Sequence, residues 1–216
     1  MHQSSSSSAQ PAAWRKRLFG VLSTLYLALI HGAPVLLWAA VYQALAAPVL
    51  RLIWLFASPL VYTVLFLLIS GSLSLFHQAA IIPGRFLRDT ATPLYFHRRL
   101  YGLCWTALYY CKPVYALCLA LPWLKWITFR LFGYRGCMNF TVYPDTWIRD
   151  LPLLTFGNGA YISNRSTLGT NIAMASGHLL VDRVEVGDHA LVGHLTMLAP
   201  GVRLGSRAEV AVGCAI

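Results

Sequence analysis

Acidic side chains are scarce in this chain, and charged residues of either sign are missing from two long stretches. The 216 residues include 7 Asp and Glu against 17 Lys and Arg, which gives a formal net charge of +10 at pH 7. No Asp, Glu, Lys or Arg occurs from 18 to 50 or from 52 to 84. Because a helix rises about 1.5 Å per residue, either stretch exceeds the roughly 30 Å hydrocarbon core of a bilayer. The sequence therefore predicts two transmembrane helices within residues 14–82.

The sequence also lacks the spacings that mark several common binding sites. No Gly-rich loop of the Walker or Rossmann type is present, so ATP and NAD are not expected. Cys137 and Cys214 stand alone, and no disulfide framework is predicted. Cysteines recur every seven residues at 104, 111 and 118, but a metal site needs ligands at closer spacing and a second ligating element. We therefore predict packing roles for these three cysteines and no metal.

The positive charge is concentrated on either side of the two apolar stretches. Arg15, Lys16 and Arg17 precede the first stretch, whereas Arg85, Arg88, Arg98 and Arg99 follow the second. Positively charged flanks favour the cytoplasmic side, so the sequence predicts an integral protein of the bacterial inner membrane type with both flanks in the cytoplasm. Residues 151–216 hold four basic and four acidic residues, so the excess charge is a membrane signal and no nucleic-acid partner is expected. Cleavage of a signal peptide after residues 44–46 is the alternative for the first stretch, although its apolar part is far longer than the usual 7–15 residues.

Two further regions have distinct compositions. Residues 1–13 are rich in serine and predict a disordered tail. Residues 83–150 predict a basic loop followed by interfacial or re-entrant helices, because the apolar segment 101–124 is interrupted by a lysine and two prolines and has basic residues on both sides. A third span, which would place the C-terminal region outside, is the alternative. The re-entrant arrangement keeps that region cytoplasmic.

From Phe156 onward, the chain repeats a six-residue pattern. Its hexads read FGNGAY, ISNRST, LGTNIA, MASGHL, LVDRVE, VGDHAL, VGHLTM, LAPGVR, LGSRAE and VAVGCA. The first position is always apolar, the second is small except at Val181, and the fifth is small or aliphatic except at His178. A period of six predicts a parallel β-helix over residues 151–216, whereas a β-sandwich would show irregular spacing of roughly 8–12 residues. Ile216 opens an eleventh hexad, and we expect the solenoid to be truncated there.

The hexads resemble those of the hexapeptide-repeat acyltransferases, which include sugar O-acetyltransferases and serine acetyltransferase. The resemblance implies a left-handed β-helix with three hexads per coil, an acyl-CoA or phosphopantetheine carrier thioester as donor, and active sites between the subunits of a homotrimer. Residues 168–192, with the run HLLVDRVEVGD, are also similar to the membrane-embedded C-terminal region of ε-poly-lysine-synthetase-type nonribosomal peptide synthetases. Because the sequence has no adenylation or carrier domain, that likeness implies only an acyl- or aminoacyl-transfer module on a membrane anchor.

Acyl transfer needs a base that takes a proton from a hydroxyl or amine of the acceptor, and histidine is suited to this near neutral pH. We predict His178 as the base with Asp182 orienting it, and His194 as the second candidate; a structural corner is the alternative for His178. Residues Asn164, Asn171 and Gly193 are predicted to contact substrate. The expected function is transfer of an acyl group to a small-molecule or lipid-linked acceptor beside the lipid bilayer. The alternative is a noncatalytic β-helix scaffold for a membrane-associated complex.

Overall fold

The computed structural model describes residues 9–216, and two long helices open it. These are α1 (Ala9–Ala44) and α2 (Pro48–Leu75), and both are long and apolar enough to cross a membrane. They form an antiparallel pair, since Trp54 near the start of α2 donates its indole N–H to the carbonyl of Trp38 near the end of α1 (3.2 Å). The turn between them lies at residues 45–47. Arg51, which separates the two uncharged stretches, lies in the first turn of α2, where its Nε donates to the carbonyl of Leu45 (2.7 Å).

The predicted disordered tail falls partly on α1. Residues 9–13 are helical, so the tail predicted over 1–13 is wrong for that part, and residues 1–8 lie outside the described residues. Composition misled here because residues 9–13, of which only Gln10 is polar, continue directly into a long apolar helix, and helix propagation costs much less than nucleation.

Three shorter helices follow, and prolines mark their boundaries. They are α3 (Pro93–Tyr110), α4 (Lys112–Ala120) and α5 (Pro122–Leu131), each with a proline in its first turn. Pro is tolerated at this position, whereas the residue before it is driven out of helical geometry. α4 and α5 meet at 114°, as a broken span or a re-entrant loop would. The angle fits both the re-entrant arrangement and the third span that the sequence allows. Cys104 and Cys118 are fully buried, as packing residues are.

From Phe140 onward the chain winds through three parallel sheets. Apart from one hairpin, each successive strand along the chain belongs to the next sheet, so the chain passes three faces per coil. The faces consist of β2 (Phe140–Val142), β5 (Ala160–Ile162), β10 (Leu191–Val192) and β13 (Glu209–Val210); β3 (Trp147–Ile148), β6 (Thr167–Leu168) and β11 (Met197–Leu198); and β4 (Leu154–Phe156), β9 (Val184–Val186) and β12 (Arg203–Leu204). This confirms a helical region followed by a β-helix-like domain. The left-handed winding stays a prediction.

Hexad positions explain how the coils stack. First-position side chains such as Ile162, Leu168 and Val192 are fully buried between the three sheets. Second-position glycines lie where one turn stacks on the next: a Cβ at Gly187 would lie 2.6 Å from the backbone nitrogen of Ser206. Small second positions are therefore a steric requirement of close turn stacking.

One hairpin interrupts the second coil, and the hexad reading does not reveal it. Strands β7 (Asn171–Ala173) and β8 (His178–Val181) pair antiparallel, and β1 (Gly84–Leu87) adds to the other edge of β8. Thirty residues separate the paired Tyr161 and Leu191, whereas eighteen separate Leu191 and Glu209, so the hairpin adds twelve residues. Twelve residues are two hexads, and the period therefore continues in register although the chain has left the coil.

Two expectations from the hexads are corrected by this structure. The coils begin at Phe140, which pairs with Ala160, and not at residue 151. The coil corner that was the alternative for His178 is wrong, because His178 lies on β8 of the hairpin, opposite Leu87 of β1. Three of the ten first positions are not buried, Met174, Leu180 and Leu204, and the hairpin explains the first two because both belong to it.

The short helices cover the first coil of the β-helix. Trp105 of α3 donates its indole N–H to the carbonyl of Ile148 (2.6 Å), and the hydroxyl of Tyr101 accepts from the backbone N–H of Leu151 (3.2 Å). One continuous apolar cluster extends from Phe66 of α2 to Leu198 of β11. The helical region and the β-helix therefore share a single core.

Candidate functional site

A buried ion pair joins α3 to the second face of the β-helix. Arg98 of α3 donates through Nη2 to Oδ2 of Asp150, and both side chains are almost completely buried. The same carboxylate oxygen accepts hydrogen bonds from Thr170 Oγ1 (2.8 Å) and Asn171 Nδ2 (2.9 Å). Asp150 has a left-handed backbone conformation (φ 55°), which Asp tolerates better than most residues. Asp150 thus fixes the base of the hairpin to α3.

The polar groups of this pair are not all paired with each other. Among the described residues, Nη1 of Arg98 and Oδ1 of Asp150 are buried without a hydrogen-bond partner. Burial lowers the pKa of Arg98, and the Asp150 carboxylate opposes that shift. A buried guanidinium N–H without an acceptor costs free energy unless an anion or water meets it. Arg98 thus keeps one guanidinium N–H donor that no described residue satisfies.

Arginines surround the space beside this pair. A cavity of about 150 Å³ lies between α3, the loop after β1 and the hairpin, and we call it the basic cavity. Its lining residues are Arg88, Tyr95, Arg98, Arg99, Arg149, Asn171, Ala173 and Leu179. Asp150 balances one of the four guanidinium charges, so the cavity keeps a positive surplus. Guanidinium groups bind phosphate and carboxylate oxygens in a bidentate manner, and a cavity of this kind suits an anion.

The glycine on α3 makes room for one of these arginines. A Cβ at Gly102 would overlap Nη2 of Arg149. Arg149 Nε also lies 3.6 Å from Oδ1 of Asp150. The absence of a side chain at Gly102 therefore lets the Arg149 guanidinium lie against α3 beside the ion pair.

A second cavity adjoins the first on the outer face of the sheet β3–β6–β11. This groove, of about 150 Å³, is lined by Trp147, Arg149, Thr167, Leu168, Gly169, Thr170, Asn171, Ile172, Met197, Leu198, Ala199 and Pro200. Arg149 and Asn171 line both spaces, so the groove and the basic cavity meet at these two side chains. The result is a mainly apolar channel along the strands that leads to a cationic end.

The structure does not bring together the histidine and aspartate predicted as a catalytic pair. His178 is half-buried on β8, and its Nδ1 lies 3.1 Å from the carbonyl oxygen and 3.3 Å from Oγ of Ser176. Asp182 is exposed, and its Oδ1 accepts from the backbone N–H of Arg183 (2.7 Å). Four residues of extended chain separate the two residues, about 13 Å at strand spacing. Asp182 therefore does not orient His178 here, and the role of His178 as a base stays a prediction.

The other predicted residues lie at turns, with one exception. His194 is half-buried, and its carbonyl accepts from Gly213 (2.9 Å). Gly193 is a stacking position, where a Cβ would lie 2.6 Å from the carbonyl oxygen of Val210. Asn164 caps its own turn by accepting from the backbone N–H of the next residue (3.1 Å). Only Asn171 lies at the site, because it lines both cavities and donates to Asp150.

Sequence reasoning missed the arginines of the basic cavity. Arg88, Arg98 and Arg99 were interpreted only as a membrane-orientation signal, and Arg149 was not considered. A charged residue within an otherwise apolar helix, such as Arg98 between Phe96 and Leu100, is the signal that could have indicated a buried partner. Its partner Asp150 could not be identified, because 52 residues separate the two.

A second polar cluster lies just after α2. The ring of His77 is buried, its Nδ1 lies 2.9 Å from Nδ1 of His97 on α3, and its Nε2 lies 3.0 Å from the hydroxyl of Tyr26 on α1. Burial, and secondarily the neighbouring His97, lowers the pKa of His77 to about 4. His77 is therefore neutral at pH 7 and connects three helical segments by hydrogen bonds. Within residues 9–216, no group of three or more His, Cys, Asp and Glu side chains is arranged to hold a metal ion.

Comparison with known proteins gives little beyond this geometry. No family model matches the chain, and no curated protein matches it. Among solved structures, serine acetyltransferase 1 of Entamoeba histolytica in complex with L-cysteine is similar at 12% identity, over 76% of this chain and 68% of that chain, with a TM-score of 0.26. None of these comparisons supports the resemblance to ε-poly-lysine-synthetase-type enzymes.

Proposed function

We propose that the chain is a membrane-anchored acyltransferase that takes an acyl group from a coenzyme A or carrier-protein thioester and transfers it to a hydroxyl or amine. The observation that carries the proposal is the groove along β3–β6–β11, which ends at the basic cavity. A pantetheine arm is an extended chain of amide and methylene groups, and it suits a channel that follows strands. The three-sided coil of stacked hexads is the architecture that the resemblance to hexapeptide-repeat acyltransferases implies.

The junction of the two cavities is where the reaction would take place. A thioester carbonyl at the inner end of the groove would lie beside the Arg149 guanidinium and the Asn171 amide, which are donors that stabilise negative charge on oxygen. In the transfer step the acceptor oxygen or nitrogen forms a bond to the acyl carbon, and the carbon–sulfur bond breaks. The acceptor proton passes to a base, and the leaving thiolate takes up a proton.

The base stays an expectation from the sequence. His178 precedes Leu179 on β8 of the hairpin, and because neighbouring side chains of a strand point to opposite faces, it lies on the face away from the basic cavity that Leu179 lines. The homotrimer and the cytoplasmic position of the β-helix are likewise part of the proposal. A second copy against the exposed sheet face would close the groove on its open side.

The test is release of free coenzyme A from acyl-CoA donors of increasing chain length by the purified full-length protein in lipid nanodiscs. Thr167, on the groove face of β6, and Thr155, on the outer face of β4, form a matched pair in neighbouring sheets. We expect Thr167→Trp, which fills the groove, to lower the rate at least tenfold. Thr155→Trp should leave the rate within twofold of the unmodified protein.

Two results would contradict the proposal. One is the absence of thiol release with every acyl-CoA and every carrier-bound donor, which would favour the noncatalytic scaffold. The other is an equal effect of the two tryptophan substitutions, which would remove the groove from the reaction. A rate for His178→Ala within twofold of the unmodified protein would exclude His178 as the base.

A further inference from the structure

The basic cavity lies at the level of the first basic turn of α1. Nη1 of Arg15 donates to the carbonyl of Ala91 (3.0 Å), and Nζ of Lys16 lies 3.2 Å from Oδ1 of Asp89. The guanidinium of Arg99 lies 5.8 Å from the ring centroid of Phe19, which is in the apolar part of α1. These contacts hold two segments, the loop with Arg88 and the start of α3, beside the part of α1 where its basic residues end and its uncharged stretch begins. In a bilayer, this is the depth of the lipid headgroups.

The size of the basic cavity limits what it can enclose. At about 150 Å³ it is smaller than the roughly 300 Å³ at which pockets begin to hold a whole drug-sized ligand. It has room for a phosphate with short substituents. A larger molecule would place one charged group there and leave the rest outside.

The donors of the cavity favour a phosphate over a carboxylate. Arg98 presents a buried Nη1 that lacks an acceptor among the described residues, and Arg149 does the same with Nε. Arg88 and Arg99 are exposed and can approach from the outer side. Donors from several directions match the several oxygens of a phosphate, and arginine forks bind phosphate in a bidentate manner.

We propose that the basic cavity binds the phosphate headgroup of a membrane lipid, and that this lipid is the acyl acceptor. This inference rests on the proposed function and names its acceptor class. The hydrocarbon part of the lipid stays in the bilayer beside α1, and the headgroup reaches inward to Arg98 and Arg149. The hydroxyl or amine to be acylated then meets the donor thioester where Arg149 and Asn171 join the cavity to the groove.

The binding test uses two water-soluble probes that differ only in the phosphate, dihexanoyl phosphatidic acid and dihexanoylglycerol. Affinities for the purified full-length protein in detergent are measured by calorimetry. We expect phosphatidic acid to bind at least tenfold more tightly than dihexanoylglycerol. Arg149→Gln and Arg88→Gln should each weaken phosphatidic acid binding at least tenfold. The control Arg203→Gln alters an exposed arginine on β12 and should change the affinity less than twofold.

Three other outcomes would overturn the inference. Equal affinity for the two probes would show that the cavity does not recognise the phosphate group. Inorganic phosphate that binds as tightly as phosphatidic acid would identify a site for the free ion. Displacement of phosphatidic acid by coenzyme A, with coenzyme A affinity also lowered by Arg88→Gln, would assign the cavity to the donor, because Arg88 lines the basic cavity and not the groove.

The inference and the proposed function fail in different measurements. Release of coenzyme A that depends on Thr167 but not on Thr155 supports the transferase, whatever the lipid probes show. Selective binding of phosphatidic acid without any thiol release would retain the lipid site and remove the enzyme.

Discussion

The Asp150 carboxylate pairs with the Arg98 guanidinium in a position that water does not reach. This contact joins α3 to the turn between the second and third faces of the β-helix, and Thr170 and Asn171 complete the shell of the carboxylate. An ion pair of this kind does not stabilise a fold merely by its presence, because both charges lose their hydration. Its partners depend on each other, however, since either one alone would be a buried and uncompensated charge.

We therefore expect Asp150→Asn to lower the free energy of unfolding by about 3–5 kcal/mol, measured by thermal or denaturant unfolding in detergent. The matched control is Asp145→Asn, which alters an exposed carboxylate 3.8 Å from Nζ of Lys112. An exposed pair contributes about 0–1 kcal/mol, so the control should unfold nearly as the unmodified protein does. A similar loss in both variants would contradict the assignment of Asp150 to the core.

Gly102→Ala separates stability from ligand binding. Ala is favoured over Gly in a helix by roughly 1 kcal/mol, and the group that it displaces is the end of the flexible Arg149 side chain. The variant should unfold at the same temperature as the unmodified protein or at a slightly higher one. Its affinity for dihexanoyl phosphatidic acid should fall severalfold, because Arg149 can no longer lie against α3. Unchanged affinity would mean that the position of Arg149 is not important for the ligand.

Two glycines in the same hexad position should respond differently to alanine. A Cβ at Gly187 would meet backbone atoms of Gly205 and Ser206 at 2.6–2.9 Å, whereas a Cβ at Gly205 has no described atom within 4 Å. Overpacking against backbone costs about 1–3 kcal/mol, so Gly187→Ala should lower the unfolding midpoint and Gly205→Ala should not. Unfolding followed by circular dichroism distinguishes the two, and equal midpoints would contradict the stacking geometry.

Deletion of the hairpin tests the register of the coils. Removal of residues 171–182 joins Thr170 to Arg183, whose neighbours in the next coil are unchanged, and takes out two whole hexads. We expect this variant to fold with the spectrum of a β-helix but to lose phosphatidic acid binding, since Asn171 and one wall of the cavity are removed. Loss of the β-helix spectrum in this variant would contradict the assignment of these residues to a hairpin outside the coils.

Acid should weaken the fold through His77. Its pKa is lowered from the usual value near 6.5 to about 4, so between these values the unfolded chain binds a proton that the folded chain does not. Stability is then lost as the pH falls from about 6.5 toward 4, by roughly 2 kcal/mol at pH 5. The groups facing His77 are Tyr26 and His97. Unfolding midpoints at pH 7.5 and pH 5 should differ less in His77→Gln than in the exposed-site control His189→Asn.

Much of the architecture could be predicted from the sequence, because it depends on periodic patterns. Two uncharged stretches predicted the long helices, and the six-residue repeat predicted the stacked strands. The hairpin escaped notice because its length is a multiple of the repeat, so no break in the pattern marks it. The coil at 140–159 escaped because its interior positions, including Phe140 and Ile148, follow no hexad.

Most residues of the candidate site could not be predicted from the sequence. It combines Arg98 of α3 with Arg149 and Asp150 of the first coil and Asn171 of the second, and no local spacing links these residues. The expected pairing of His178 with Asp182 was based on their nearness in sequence. Because the chain between them is extended, the two residues lie far apart. Asn171 lines both cavities, but its contact with substrate stays a prediction, and its hydrogen bond to the buried Asp150 carboxylate could not be predicted from the sequence.

The first coil of the β-helix is covered by α3 to α5, which in turn pack against α1 and α2. Trp105 and Tyr101 of α3 hydrogen-bond to the backbone of this coil, so a chain cut at Phe140 would lose these contacts. A fragment that begins at Phe140 would therefore expose apolar side chains of the first coil to water. The stacked coils depend for their folded state on the helices that precede them in the chain.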